Sequence, residues 1–260
     1  MAEPEQAPFL SLVIPAYNEA SRLPQTLIQA QAYLERQSFA TEVLVIDDGS
    51  TDGTAAIVRE RAVDWPALRL IATAHRGKGH AVRVGLLASC ARYVFLCDAD
   101  LSMPITELDR FTDTRLGEFD VAIASREAPG ARRYNEPFYR HLMGRVFNAF
   151  VRWMVLPGVQ DSQCGFKCLR GSLARELAGV QTIDGWGFDV ELLTVARQWG
   201  FRIVEVPIPW HHVRSSRIRP VRDTWRMVRE VMVVRRNLRR GVYARPALPE
   251  VPEPQVAEQL

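Results

Sequence analysis

The feature that most constrains this chain is a short apolar segment that ends in two aspartates. Residues 93–97 are apolar or aromatic, and Asp98 and Asp100 follow them directly. An unbroken apolar run of this length predicts a central strand of a parallel sheet, buried on both faces. Side chains at positions i and i+2 of an extended segment share a side, so the two carboxylates converge just past the strand end. Open α/β sheets bind their ligands at that edge.

Two carboxylates at such an edge suit a divalent metal ion. Mg²⁺ and Mn²⁺ prefer oxygen ligands, and Mg²⁺ usually binds one or two protein carboxylates together with substrate phosphates. We therefore predict that Asp98 and Asp100 form a site for Mg²⁺ or Mn²⁺ and a diphosphate. An Asp-x-Asp pair on its own is more often a pair of solvated loop acids, so the prediction depends on the rest of the chain.

The first half of the chain alternates strand and helix patterns. Strands are predicted at residues 10–14, 42–46 and 68–72 before the aspartate strand, and another at 120–125 after it. This alternation predicts an α/β fold with a mostly parallel sheet and helices on both of its faces. The pattern then changes to helices at 136–155, 188–198 and 220–240, with a late strand at 203–206.

Composition and length fit one globular unit with extended ends. The 260 residues are 47% hydrophobic and 24% charged. We predict a disordered N-terminus at residues 1–8, the main domain at 9–218, a basic amphipathic helix at 219–245 and a disordered tail at 246–260. The sequence has no apolar run of membrane-spanning length, and residues 1–8 lack the pattern of a secretory signal, so we expect a cytoplasmic protein.

Polar residues follow each of the first strands. Tyr17 and Glu19 follow the first, Asp47 and Asp48 the second, and Lys78 the third. Because the carboxyl ends of parallel strands meet at one edge, these residues predict a nucleotide pocket. Carboxylates there can bind base and ribose, while Lys78 and a metal bind the diphosphate. For Asp47 and Asp48 alone, helix capping and turn chemistry explain the pattern equally well.

Other nucleotide motifs are missing. The segment around Lys78 lacks the Gly-x4-Gly-Lys-Ser/Thr spacing of a P-loop, and no Gly-x-Gly-x-x-Gly follows the first strand. The second absence disfavours NAD or FAD. Lys78 and Lys167 are the two lysines among 33 basic residues. In a chain that otherwise uses Arg, they suggest positions that need a compact ammonium.

The motifs, taken together and in order, resemble those of a known family. Residues 15–19 (PAYNE), 45–52 (VIDDGSTD), 77–79 (GKG) and 98–100 (DAD) resemble the inverting, GT-A-fold glycosyltransferases of the second sequence family. Residues 124–126 (ASR), 161–167 (DSQCGFK) and 186–191 (WGFDVE) are similar to its dolichyl-phosphate β-glucosyltransferases and their polyprenyl-phosphate relatives.

The resemblance implies roles for particular residues. The metal would bind Asp98 and Asp100. The nucleotide would contact Pro15, Tyr17, Glu19, Asp47, Asp48, Lys78, Asp98 and Ala99. The catalytic group would be Asp98, Asp100, Lys78, Asp189 and Arg126. The sugar or the acceptor would contact Gln163, Lys167, Trp186, Asp189 and Arg140. The chain departs from the family where Ala124 replaces a frequent Gly, and where residues 214–217 (RSSR) replace the usual Gly-Ser-Lys.

The resemblance also implies a reaction. We expect inverting transfer of a hexose, glucose by the resemblance, from a UDP-sugar to a polyprenyl or dolichyl phosphate. A phosphate monoester with a second pKa near 6 is largely dianionic at neutral pH, so it attacks without a protein base. The alternative is a soluble or glycan hydroxyl acceptor, which needs a carboxylate base, and Asp189 or Glu191 is the candidate. Without the motif, both acids are simply favourable charges in the first turn of a helix.

The C-terminal third of the chain is rich in arginine. On a helical wheel, an arginine row lies within about 40° of one line, and apolar residues lie to one side. The row is Arg222, Arg226, Arg229, Arg236 and Arg240. The helix at 136–155 also mixes aromatics with arginines. Both predict a peripheral protein on an anionic membrane surface, at the cytosolic face.

The same arginine-rich helices are compatible with two further arrangements. In the first, both helices pack on the sheet and their arginines are solvated. In the second, the arginines bind nucleic acid. The second is disfavoured, because the acids at the strand ends would repel the phosphates of a nucleic acid.

Overall fold

The structure is a computed structural model that describes residues 7–112, 118–211 and 220–245. Several predictions lie outside these residues: disorder at residues 1–6 and 246–260, the domain boundary at 218/219 and the departing motif at 214–217. The side chains of residues 220–223 also lie outside the description, so the predicted orientation of Arg222 stays a prediction.

In the described part of the chain, seven strands form the main sheet and two form a small one. The strands are β1 (Leu10–Ala16), β2 (Thr41–Asp47), β3 (Leu68–Ala72), β4 (Tyr93–Leu96), β5 (Val121–Ser125), β6 (Arg132–Tyr134), β7 (Lys167–Arg170), β8 (Ile203–Pro207) and β9 (Pro209–His211). The main sheet has the order β3-β2-β1-β4-β7-β5-β8, and β6 pairs with β9 in the small sheet. The predicted α/β fold with a mostly parallel sheet is confirmed.

The helices cover both faces of this sheet, as predicted. They are α1 (Leu23–Leu34), α2 (Thr54–Asp64), α3 (Lys78–Ala88), α4 (Asp109–Thr112), α5 (Phe138–Met154), α6 (Gly171–Val180), α7 (Phe188–Gln198) and α8 (Pro220–Arg239). Alternate residues of β1 face opposite cores: Val13 packs with Leu86 of α3, and Leu12 packs with Leu27 of α1. The strand is therefore buried on both sides, which explains its unbroken apolar sequence.

The sequence pattern did not predict β6, β7, β9, α4 or α6, and of these β7 has the largest effect on the site. It is antiparallel to both neighbours, with Cys168 opposite Phe95 of β4 and Ala122 of β5. A strand of only four residues inside a motif-rich segment gives too little periodicity to be recognised. Its insertion brings the preceding loop, residues 161–166, against the end of β4 and thus against the aspartate pair.

Helix α8 is packed as a structural element of the fold. Val231 and Val234 are fully buried, as is Tyr243 just beyond the helix. Asn237 of the helix donates a hydrogen bond to the Tyr243 hydroxyl at 3.2 Å. Within the described ranges, no helix is both long enough and apolar enough to span a membrane.

Candidate active site

Two cavities open at the carboxyl ends of the parallel strands, and both are lined by Asp98 and Asp100. The first measures about 320 Å³ and lies against the ends of β1 and β2 and the start of α3. The second measures about 270 Å³ and lies between the small sheet, α5 and the loop before β7. The predicted convergence of the two carboxylates at the sheet edge is therefore present, at the junction of two compartments.

An aromatic stack forms one wall of the first cavity. The rings of Tyr17 and His75 lie 4.0 Å apart and are inclined by 16°. The Nδ1 atom of His75 is 2.8 Å from Oδ2 of Asp48, and the backbone N–H groups of Arg76 and Gly77 each donate to the same carboxylate at 2.9 Å. Asp48 therefore fixes the loop that presents the stack. A stacked pair of this kind is a suitable surface for a nucleobase.

A second carboxylate at this end of the sheet positions an arginine. Glu19 accepts two hydrogen bonds from Arg22, at 2.7 and 2.6 Å. A guanidinium nitrogen of Arg22 lies 3.8 Å from Oδ2 of Asp100. The bidentate contact holds Arg22 in one orientation. Glu19 thus places a positive charge next to the aspartate pair.

Lys78 brings a second positive charge to the same point. Its Nζ atom lies 2.5 Å from Oδ1 of Asp98, and 5.4 Å from the centre of the Trp186 ring. Burial is the largest single effect on Lys78 and disfavours its charged form. The carboxylates of Asp98, Asp189 and Asp100 together outweigh burial and raise the pKa of Lys78 above its usual value. Burial likewise opposes ionisation of Asp98, and Lys78 nonetheless lowers the pKa of that carboxyl. Both groups are therefore charged at neutral pH.

The aspartate pair has the donor chemistry for a divalent ion, and both carboxylates border the two cavities. A Cβ atom on Gly165 would lie 2.0 Å from Oδ2 of Asp98, so the carboxylate packs directly on this glycine and no larger residue fits there. Asp100 uses Oδ1 to accept the N–H of Ser102 at 3.1 Å. Among the described residues, no group of three His, Cys, Asp or Glu side chains could enclose a metal. A metal here would therefore need substrate oxygens as further ligands, which is how Mg²⁺ is usually held.

Arginines line the second cavity, and Arg126 is held there by several hydrogen bonds. It donates two side-chain hydrogen bonds to Asp161, at 2.7 and 2.9 Å, and its backbone N–H donates a third at 3.0 Å. Its guanidinium lies 5.3 Å from the centre of the Trp210 ring. Asp161 is fully buried; although burial alone would raise its pKa, Arg126 lowers the pKa to about 2. The pair is therefore ionised and rigid.

Arg133 and Arg140 extend this cationic lining. Arg133 donates to Glu127 at 2.6 Å and to Glu136 at 2.5 Å, and its Nε atom donates to the carbonyl oxygen of Arg126 at 3.3 Å. These contacts tie the small sheet to the loop after β5. The lining of the second cavity thus includes three guanidinium groups beside Glu136 and the aspartate pair, and guanidinium groups can bind an anion such as a phosphate.

Two residues expected at the substrate lie behind the cavity walls. The Nζ atom of Lys167 is 2.5 Å from Oδ1 of Asp189, and Lys167 also donates to the carbonyl oxygen of Cys164. Both side chains are buried and line neither cavity. Burial raises the pKa of Asp189, and the nearby Lys167 opposes that rise. The pair joins the start of β7 to the start of α7.

Glu191 is enclosed more completely. It is fully buried and accepts hydrogen bonds from the backbone N–H groups of Thr182 and Ile183, each at 2.9 Å. The Tyr243 hydroxyl donates to it at 2.7 Å. The side chain lines neither cavity, and this position disfavours a role as the base for a hydroxyl acceptor. Its carboxylate instead anchors the segment after α6 and the end of the described chain.

The structure brings most of the sequence-predicted residues to the two cavities. The first is lined by Pro15, Tyr17, Glu19, Asp48, Lys78, Asp98, Ala99, Asp100 and Trp186. The second is lined by Asp98, Asp100, Arg126, Arg140 and Gln163. Lys167, Asp189 and Asp47 line neither. Asp47 accepts the N–H of Ser50 at 3.1 Å, which is the turn chemistry that its position after a strand also allows.

The lining residues that sequence reasoning missed include Arg22, His75, Arg133 and Arg226. The spacing of Glu19 and Arg22 was a usable signal, because residues three apart can pair at a helix start. The remaining three give no such signal. Their positions depend on how loops and helices from distant parts of the chain meet at the sheet edge.

Comparison with known proteins agrees with this geometry. Glycosyl transferase family 2 matches residues 11–176. The dolichyl-phosphate beta-glucosyltransferase of Dictyostelium discoideum is 31% identical over 253 residues, which cover 90% of this chain and 76% of that protein. The enzyme of the same name from Homo sapiens is 28% identical over 253 residues, which cover 90% of this chain and 77% of that protein.

Solved structures agree in fold. Mannosyl-3-phosphoglycerate synthase from Rubrobacter xylanophilus has a TM-score of 0.67 at 19% identity, over 94% of this chain and 79% of that one. Glucosyl-3-phosphoglycerate synthase from Mycobacterium tuberculosis, in complex with Mn²⁺ and UDP-glucose, has a TM-score of 0.61 at 20% identity. The match covers 88% of this chain and 79% of that one. The predicted GT-A fold and the predicted family are confirmed. The chain therefore belongs to glycosyl transferase family 2 and is a glycosyltransferase.

Proposed function

We propose that this enzyme transfers glucose from UDP-glucose to a polyprenyl or dolichyl phosphate, with inversion at the anomeric carbon. The observation that carries the proposal is the junction of the two cavities at Asp98 and Asp100, with arginines lining the second. A donor cavity with an aromatic wall and an acceptor cavity with a cationic wall suit transfer to an anionic acceptor. The names of the similar enzymes support glucose as the transferred sugar and dolichyl phosphate as the acceptor.

The first cavity suits the donor. The Tyr17–His75 stack offers a surface for uracil, and Lys78 with the aspartate pair lies where a diphosphate would be bound. A divalent ion held by Asp98 and Asp100, Mg²⁺ or Mn²⁺, would neutralise charge that develops on the departing diphosphate. The Lys78 ammonium supplies a positive charge at the same point. The Mn²⁺ and UDP-glucose bound by a structural neighbour support this donor and metal.

The second cavity suits a phosphate acceptor. An oxygen of the dianionic phosphate attacks C1 of glucose from the face opposite the diphosphate, and forms the new C–O bond. The bond from C1 to the diphosphate oxygen breaks, and UDP leaves with that electron pair. No proton is transferred, so no protein base is needed. Arg126 and Arg140 orient the acceptor phosphate, and Gln163 and Trp186 are positioned to contact the sugar.

A hydroxyl acceptor fits the site less well. It would require an accessible carboxylate base, and Asp189 lies behind the wall in its pair with Lys167. Among the described residues, the carboxylates that line the second cavity are the aspartate pair and Glu136. Glu136 accepts a hydrogen bond from Arg133 at 2.5 Å. A carboxylate held by a guanidinium is a poor base. The arrangement thus favours an acceptor that is already ionised.

Helix α5 supports a lipid as the carrier of that phosphate. Its outer face exposes large apolar side chains, with Phe138 and Trp153 each 78% exposed. The same helix contributes Arg140, Met143 and Phe147 to the second cavity. An exposed apolar stripe that leads to a cationic cavity suits a prenyl chain with its phosphate inside. We propose that the enzyme acts as a peripheral protein on an anionic membrane, at its cytosolic face.

A matched set of acceptors tests the proposal. The purified enzyme is given a panel of UDP-, GDP- and TDP-sugars with a polyprenyl phosphate in mixed micelles, and in parallel with the corresponding polyprenol. We expect turnover with UDP-glucose and the phosphate, and none with the alcohol. Transfer to the alcohol at an equal rate would contradict the assignment of the second cavity to a phosphate.

A further inference from the structure

Helix α8 reaches both substrate cavities. Arg226 lines the first cavity, and its neighbours Thr224 and Met227 line the second. The helical wheel of the sequence places Arg226 in an outward row of arginines. In the structure it lies at the edge of the packed face, where the helix crosses the substrate cavities. A residue in this position can contact a substrate directly.

Arg226 is held by a weaker ion pair than the other cations around it. Among the described residues, four Lys or Arg side chains line the first cavity. Arg22, Arg76 and Lys78 lie 2.6, 2.7 and 2.5 Å from their acidic partners. Arg226 lies 3.2 Å from Oε1 of Glu230, and its side chain is 60% exposed. Because an exposed pair at this distance contributes little energy, Arg226 can exchange Glu230 for a more highly charged anion.

Glu230 fixes the position from which Arg226 acts. Its Oε2 atom accepts the backbone N–H of Gly187 at 2.7 Å. A Cβ atom on Gly185 would lie 2.1 Å from its Oε1 atom, so the carboxylate packs directly on this backbone. Gly185 and Gly187 flank Trp186, whose ring lies 5.4 Å from the Lys78 ammonium. Arg226 is therefore presented at the end of the cavity that carries Lys78.

We infer that Arg226 binds the distal phosphate of the nucleoside-diphosphate donor and stabilises the same phosphate on the departing nucleotide. This inference rests on the proposed function, which assigns the donor to the first cavity. The Tyr17–His75 stack provides the nucleobase surface, while Lys78, Asp98 and Trp186 mark the phosphate and sugar end. Arg226 lines the same cavity, and its Glu230 partner places it at the phosphate and sugar end. A guanidinium also suits a phosphate, because it can donate two parallel hydrogen bonds.

The test measures the binding of UDP and UMP by calorimetry, with excess Mn²⁺ and without lipid. We expect R226Q to weaken UDP binding about tenfold, the usual effect of losing one charge-assisted contact, and to leave UMP binding unchanged. R226K should recover part of the loss. The matched control is R239Q, an exposed arginine near the end of α8 that lines neither cavity and should alter neither affinity.

The outcomes separate this inference from the proposed function. UDP binding by R226Q within twofold of the wild type would overturn the role of Arg226 and leave the proposed donor intact. Equal weakening of UDP and UMP would also overturn it, because the contact would then not be to the distal phosphate. A wild-type protein that binds no UDP would contradict both the proposed function and this inference.

Discussion

The Lys78 ammonium and the Asp98 carboxylate form an ion pair, 2.5 Å between Nζ and Oδ1, where the two cavities of the enzyme meet. Each partner strengthens the ionisation of the other, since the pKa of Lys78 is raised and that of Asp98 is lowered despite burial. The pair therefore keeps one positive and one negative charge at the place proposed for the donor diphosphate. Its two members should have separable effects on binding and turnover.

Replacing Lys78 by alanine should weaken donor binding. The variant removes the ammonium nearest the aspartate pair and leaves two carboxylates without this partner, which would repel a diphosphate. We expect the affinity for UDP, measured by calorimetry, to fall by about tenfold or more. Because the pKa of Lys78 lies above its usual value, the wild-type affinity should show no Lys78 titration between pH 6 and about 9. Unchanged UDP affinity in the variant would make Lys78 a structural turn residue.

The second prediction concerns Asp100, which lines both cavities. Asp100→Asn keeps the shape of the side chain but removes a charged oxygen ligand, so turnover should fall by about a hundredfold or more. The circular dichroism spectrum should not change. Asp64→Asn, on the exposed side of α2, is the matched control and should keep full turnover. Excess chelator should abolish wild-type activity, and full activity in its presence would refute a metal at this site.

The third prediction is a pH dependence of stability that arises from Asp161. Its pKa is about 2 in the folded protein, against 3.8 for the free group, because Arg126 binds the carboxylate. A lowered pKa stabilises the fold above the unfolded value and loses that effect as pH falls towards 2, an effect of about 2 kcal/mol. Wild-type unfolding free energy should therefore drop between about pH 5 and 2.

The variant Asp161→Asn checks the assignment of that slope. It leaves Arg126 buried without its partner, so it should be less stable at neutral pH by about 3 kcal/mol. Its stability should depend less on pH in the acid range, measured by urea unfolding at each pH. An identical acid slope in wild type and variant would show that another group is responsible.

The fourth prediction separates structure from catalysis at Glu191. Glu191→Gln keeps one accepting oxygen but replaces the other with an NH2 group, which cannot accept a backbone N–H, so unfolding free energy should fall by about 1–3 kcal/mol. Turnover per folded molecule should stay within a few-fold of the wild type. A variant with normal stability and no turnover would restore the hydroxyl-acceptor mechanism, in which Glu191 acts as a base.

The fifth prediction tests the membrane surface. Trp153 on α5 and Trp225 on α8 are 78% and 68% exposed. Burying a large apolar side chain contributes about 2 kcal/mol, so replacing both by serine should weaken binding to anionic liposomes by about a hundredfold or more. UDP affinity should not change. Val63→Ser, at an equally exposed site on α2, is the control and should leave co-sedimentation with liposomes unaltered.

The sheet and its ligand edge could be predicted because each depends on local pattern. Apolar runs ending in polar residues identify parallel strands, and the carboxyl ends of such strands must meet. Strand β7 could not be predicted, since its four residues carry no clear period. The pairing of Lys167 with Asp189 could not be predicted either, because it depends on how β7 and α7 meet.

The position of Arg226 on α8 also could not be predicted from the sequence, because it depends on a contact between distant parts of the chain. The helical wheel correctly describes α8 as amphipathic, with Arg229 and Arg236 on the exposed side. It cannot show which edge of the exposed face meets another part of the protein. Arg226 lies at such an edge and lines the first cavity, so a variant of the whole arginine row would change the proposed membrane contact and the proposed donor contact together.

The most direct test of the account is a competition between acceptors in one reaction. Radiolabelled UDP-glucose is incubated with the enzyme, a polyprenyl phosphate in anionic micelles and an equal concentration of a soluble sugar hydroxyl acceptor. We expect the label to enter the organic phase as a β-linked glucosyl phosphate, and Asp100→Asn to reduce this transfer by about a hundredfold or more. Label recovered mainly in a water-soluble glycoside would contradict the assignment of a lipid phosphate as the acceptor.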